Sequence, residues 1–127
     1  MDVRSIEDVA PVVEHNGTVP VWYLVQPREM MEMTRGGHLE LVNEFEVAGG
    51  GHVDPHQHPT HEFYYVTNGR GIMDIAGEAR EIRQGDLVYI PPNTVHTLRP
   101  VSDHAPIRCF CFAVAEPDAG PVDYTTH

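Results

Sequence analysis

Apolar and polar residues alternate along most of this chain with a period of two, the spacing that sends every second side chain to one face of a β-strand. The pattern predicts eight short strands: "VWYLV" (21–25), "LELVNEFEV" (39–47), "EFYYVT" (62–67), "GIMDIA" (71–76), "AREIR" (79–83), "DLVYI" (86–90), "VHTLR" (95–99) and "IRCFCFAV" (107–114). Eleven glycines and eleven prolines separate them. Asn68-Gly69 in "TNGRG" predicts a tight hairpin, and "IAGEA" predicts another. "QGD" and "IPPNT" mark further reversals. One segment breaks the pattern. "PREMMEMTRGG" has Pro27 at its start and glycines at its end, the signature of a short helix. Its methionines read as packing for that turn, with a lid over a cavity as the alternative. Many short strands with little helix predict an all-β domain, an antiparallel sandwich or barrel.

At 127 residues the chain has room for one domain, 1–127, with a core over about 20–115 and terminal extensions packing on it. The net charge is −11 and all eight cationic residues are arginine. There is no basic stripe to displace counterions, which argues against nucleic acid and against anionic membranes. No apolar run approaches a membrane span, and "MDVRSIEDVA" is not a signal peptide, so a cytoplasmic location is expected. Cys109 and Cys111 lie one residue apart on a predicted strand and share a face. They read as small core residues, not as a redox or zinc pair.

Four of the nine histidines fall within residues 52–61. His56 and His58 have the same strand parity, and Glu62 keeps it. His96 follows the turn "PPNT" at the start of its strand. Three imidazoles and a carboxylate suit one borderline divalent ion (Fe, Mn, Ni, Co or Zn) and leave open positions in an octahedral shell. His61 has the opposite parity and reads as a surface residue or a support for the site. His52, among glycines, is a weak spare ligand. His15, His38, His104 and His127 lie in polar turns or at the terminus and read as ordinary surface residues.

The frame around these residues is specific. Gly50, His56, His58, Glu62 and Gly69 spell G-x5-H-x-H-x3-E-x6-G; Gly85, Pro91 and His96 follow as G-x5-P-x4-H after 15 intervening residues. This resembles the two signature motifs of the cupin superfamily, small jelly-roll-like antiparallel β-barrels whose four ligand positions fall on His56, His58, Glu62 and His96. Asn93 replaces a usual glycine and can also adopt a left-handed turn. Pro100 replaces a usual asparagine. Neither is a ligand position.

The stretch from "EFYYVTNGRG" to "NTVHTL" is similar, more narrowly, to small single-domain cupins that cleave dimethylsulfoniopropionate. That resemblance implies Tyr64 as the catalytic base, with Tyr124 and Trp22 contacting substrate. Tyr64 shares parity with Glu62, which directs it inward. The expected function is metal-dependent β-elimination on a small carboxylate-bearing metabolite. A metal dioxygenase using the same ligands and a non-catalytic sensor are the alternatives. Small cupins commonly pair through N-terminal strands, so the resemblance implies a homodimer with residues 18–26 as the contact.

Overall fold

The computed structural model describes residues 2, 4, 6–33 and 38–116. Among these described residues, nine strands form two antiparallel sheets. The larger contains β1 (Val12–Glu14), β2 (Val19–Val25), β3 (Leu39–Val47), β9 (Ile107–Val114), β4 (His61–Asn68) and β7 (Leu87–Ile90), in that spatial order. The smaller has β5 (Arg70–Ile75) between β6 (Glu78–Arg83) and β8 (His96–Pro100). Helix is confined to α1 (Glu29–Met33) and a single 3-10 turn, Ile6–Asp8, among the described residues. No helix there is long and apolar enough to cross a membrane.

Alternation decides which faces meet. In β2 and β9 every second residue is buried. Val47, Val66, Leu98 and Ile107 are fully buried in the shared core. Leu98→Ala is expected to cost about 2–5 kcal/mol, the range for deleting a buried leucine side chain, measurable as a lower urea midpoint. Both cysteines are buried and free. Met30 is buried beneath α1, which packs on β3, and α1 contributes nothing to the cavity described below.

Among the described residues, hydrogen bonding does not close the strands into one barrel; they form two sheets, the sandwich form of the expected fold. Two expectations change. Asn68-Gly69 is not a hairpin: β4 pairs with β7 and β9, and β5 with β6 and β8. Gly69 instead carries the chain from one sheet to the other. Its φ is 85°, and a Cβ there would run into the Pro106 carbonyl oxygen. The "IAGEA" turn is a true two-residue hairpin, with Ala76 and Gly77 both at positive φ between the paired Ile75 and Glu78. Finally, β1 is an extra strand. It pairs with Val19–Val21 of β2, while β3 pairs with Val21–Val25, so β1 covers only the first part of the β2 edge.

Candidate metal centre

His56 and His58 lie not on a strand but in the irregular segment leading into β4. The local alternation expected of them is kept by tethers. His56 and His96 exchange two backbone hydrogen bonds, of 3.2 and 3.0 Å, across an isolated bridge. The Asn93 N–H donates to the His58 carbonyl at 2.7 Å, and Asn93 has φ 55°, the left-handed turn its sequence position allows. Glu62 comes from β4 in the larger sheet and His96 from β8 in the smaller.

These four side chains converge. One potential ligand atom from each of His56, His58, Glu62 and His96 lies within 4.8 Å of the others. Glu62 and His96 are buried, and Glu62 Oε2 stands 3.3 Å from His96 Nε2 without a hydrogen bond between them. His96 Nδ1 can only donate to the Thr94 carbonyl, 2.9 Å away, so in the neutral ring Nε2 carries a lone pair. That lone pair faces a carboxylate oxygen in a buried site, which is unfavourable unless positive charge lies between them. The site therefore fits a cation. His56 Nδ1 likewise donates to the Asp54 carbonyl at 2.6 Å, leaving its Nε2 as the coordinating atom. Burial, then the neighbouring His96, pushes the His56 pKa down to about 2, which keeps that lone pair available.

A cavity of about 40 Å³ adjoins the cluster. His56, His58, Glu62, Tyr64, Cys111, Asn43, Tyr23, Glu14 and His15 are among the residues around it. Tyr64 is buried, its ring edge-on to Phe45 at 4.9 Å and 6.2 Å from the His96 ring. Burial, then the charge of Glu62, raises its phenol well above the ordinary tyrosine range. Cys111 holds its Sγ 3.9 Å from Glu62 Oε1, and burial keeps it a neutral thiol.

The remaining sequence candidates are placed differently. Trp22 sits on the outer face of β2, with the Arg108 guanidinium 4.6 Å from its ring centre; its neighbours Val21 and Tyr23 face the cavity instead. Trp22 thus lies on the opposite face of β2 from the cavity. Tyr124 lies outside the described residues. His61 faces away from the cluster, bonded through Nδ1 to the Tyr89 hydroxyl at 2.7 Å and paired through Nε2 with Glu116 at 2.8 Å. His61→Ala is expected to leave metal content unchanged by elemental analysis. Exposed His52 pairs with Asp54 at 3.2 Å.

His15 and Glu14 were not anticipated at the site. Both are buried, and both line the cavity. The signal is Asn16-Gly17, a hairpin dipeptide between "VVE" and "VPVWYLV". It folds β1 back on β2, and Glu14 Oε2 accepts a 2.7 Å hydrogen bond from the Tyr23 hydroxyl.

Two facing antiparallel sheets with a three-histidine, one-glutamate cluster define a cupin. Residues 43–113 match the Cupin domain family, and the chain belongs to it. Over 90 residues the chain is 34% identical to the dimethylsulfoniopropionate lyase DddW of Ruegeria pomeroyi, covering 70% of this chain and 59% of that protein. It is 39% identical over 57 residues to an uncharacterized protein of Methanocaldococcus jannaschii, covering 44% of this chain and 45% of that one. The chain thus matches only about half the length of these two relatives. A predicted oxalate decarboxylase of Thermotoga maritima has a similar crystal structure, with a TM-score of 0.78 at 19% identity over 91% of this chain and all of that one. At that identity the likeness speaks for the fold.

Proposed function

We propose that this cupin is a metal-dependent lyase. It acts on a small carboxylate-bearing metabolite in the manner of a dimethylsulfoniopropionate lyase, with Tyr64 as general base. The observation that carries the reading is the position of Tyr64, buried in the wall of the same small cavity as His56, His58 and Glu62 of the cluster. The similarity to DddW supports the choice of reaction. His56, His58, Glu62 and His96 would hold the ion. When bound, a divalent cation supplies positive charge that polarises a carboxylate and lowers the pKa of neighbouring acids.

The chain's own groups account for the rest. Tyr64 takes the proton from the carbon next to the substrate carboxylate. The electron pair left behind forms a carbon–carbon double bond, and the bond to the leaving group on the following carbon breaks. An alkene acid and the leaving group are released, and Tyr64 returns its proton to solvent. Without a cation, burial and Glu62 hold the phenol protonated, so the reading requires activity to depend on metal. The cavity's small volume favours a substrate that presents a few atoms at the cluster. Pairing of two copies through the outer face of β2 belongs to the same reading, and light scattering at micromolar concentration should give a dimer.

The test is to incubate zinc-loaded protein with dimethylsulfoniopropionate under anaerobic conditions and measure alkene acid. Product formed without oxygen and with a redox-inert ion supports elimination. Turnover that stops without oxygen and fails with zinc would mean an oxygenase. Binding without consumption would mean a sensor.

A further inference from the structure

The inward-facing row of β3 runs Leu41, Asn43, Phe45 and Val47, all of them buried. An amide thus interrupts an otherwise apolar row. Asn43 is 6% exposed and lines the cavity, and its Oδ1 is buried without a hydrogen-bond partner. Its Nδ2 makes no hydrogen bond either among the described residues. A buried amide left in this state costs stability that a leucine at the same place would not. A chain that departs from its own packing pattern in this way is expected to do so at a functional site.

The strand register sets what Asn43 stands beside. It pairs with Tyr23 on β2 and with Cys111 on β9, and Cys111 pairs with Tyr64 on β4. Tyr23, Asn43, Cys111 and Tyr64 therefore form one buried row across the larger sheet, and all line the cavity. Asn43 and Tyr64 are two strand spacings apart, roughly 10 Å along the backbone, with the small cysteine between them. Cys111 Sγ is 3.9 Å from Glu62 Oε1, so the space over the cysteine adjoins the metal-binding cluster. A group held there is flanked by the amide on one side and the phenol on the other.

From this geometry we infer that Asn43 is a substrate-binding residue whose side-chain NH2 donates to a carboxylate oxygen of the substrate, holding the neighbouring carbon toward Tyr64. The inference rests on the carboxylate reading above. A carboxylate has about four lone-pair sites, and in a buried cavity they need donors. No lysine or arginine lines this cavity among the described residues, and the Tyr23 hydroxyl is committed to Glu14. His56 and Glu62 present lone pairs. The Asn43 amide supplies a donor. A hydrogen bond to a charged acceptor is stronger than one to a neutral group, so the contact favours a carboxylate anion over the corresponding amide.

Two substitutions separate this role from a structural one. Asn43→Leu keeps the size of the side chain and removes both polar atoms. Asn43→Asp keeps the shape and exchanges the NH2 for an oxygen, ionised at pH about 8, well above the ordinary carboxyl range. Zinc-loaded wild type and both variants would be titrated calorimetrically with propionate and with propionamide at that pH. Their zinc would be measured by elemental analysis and their melting curves recorded. Wild type should bind propionate in preference to propionamide. Asn43→Leu should hold zinc like wild type, melt at the same temperature or higher, and bind propionate roughly 10- to 100-fold more weakly, the range for losing a hydrogen bond to a charged group. Asn43→Asp should lose propionate at least as severely, because two carboxylates then face each other. It should lose less of its affinity for propionamide, whose own NH2 can donate to the new oxygen. A structural role would instead make Asn43→Leu melt lower than wild type, and that result overturns the inference. Unchanged propionate affinity in either variant also overturns it, and leaves the carboxylate reading standing. If wild type ignores propionate altogether, the carboxylate reading falls first and takes this one with it.

Discussion

Tyr64→Phe is expected to lower kcat/KM by roughly 10²-fold or more, the scale of a lost general base, while metal content and melting temperature stay close to wild type. The substitution deletes one hydroxyl and keeps the ring. Phe45 still meets it edge-on at 4.9 Å, and the core is otherwise untouched. Loss of rate with intact metal therefore isolates proton transfer from folding and from ion binding. A fully active Tyr64→Phe protein would remove Tyr64 from the chemistry, and if that activity also required oxygen, elimination would give way to oxygenation. Steady-state kinetics beside elemental analysis on the same preparation decides between these outcomes.

Glu62→Gln should have two effects of opposite sign. Glu62 Oε2 faces His96 Nε2 at 3.3 Å, and neither atom has a hydrogen-bond partner among the described residues. An amide in place of the carboxylate can turn its NH2 toward Nε2 and make the missing bond. The metal-free variant should gain about 1–3 kcal/mol, the penalty normally attached to an unsatisfied buried group, and should melt higher than metal-free wild type. The same change removes the anionic ligand, so most of the bound metal should be lost. His96→Ala should also lose metal, but without the gain in stability, because it leaves Glu62 buried beside a cavity. A Glu62→Gln protein that melts lower than wild type when both are stripped of metal would refute the lone-pair argument. Metal-free melting curves in the presence of chelator provide the measurement.

Much of this site is legible in the chain because its signals are local or fixed in spacing. The alternation in 39–47 and 107–114 coincides with β3 and β9 at both ends. The four clustered residues stand at the spacings of the two motifs, and the parity of Glu62, Tyr64 and Val66 places all three in the interior. What escapes the sequence depends on partners distant along the chain. Asn68-Gly69 has the local chemistry of a hairpin, but β4 finds its neighbours in β7 and β9, so the same dipeptide serves a crossing between sheets. Trp22 depends on which face of β2 turns inward, and alternation alone leaves two choices until Val21 and Tyr23 are seen in the core. His15 sits in a polar turn, as its neighbours "HNGT" suggest, but Asp54 pulls that turn down onto the cavity from 39 residues away.

The origin of Glu62 in one sheet and His96 in the other has a mechanical meaning. Beyond the chain crossings such as Gly69, the sheets share a packed core, and both cysteines are free, so no disulfide pins them together. An ion gripped by both residues would be a removable rivet between the sheets. Its binding free energy would count in full against prying the sheets apart, about 4 kcal/mol at a thousandfold excess over Kd. Tightness of the whole fold would then track the supply of free metal, and a metal-starved molecule would be a looser one long before it unfolded.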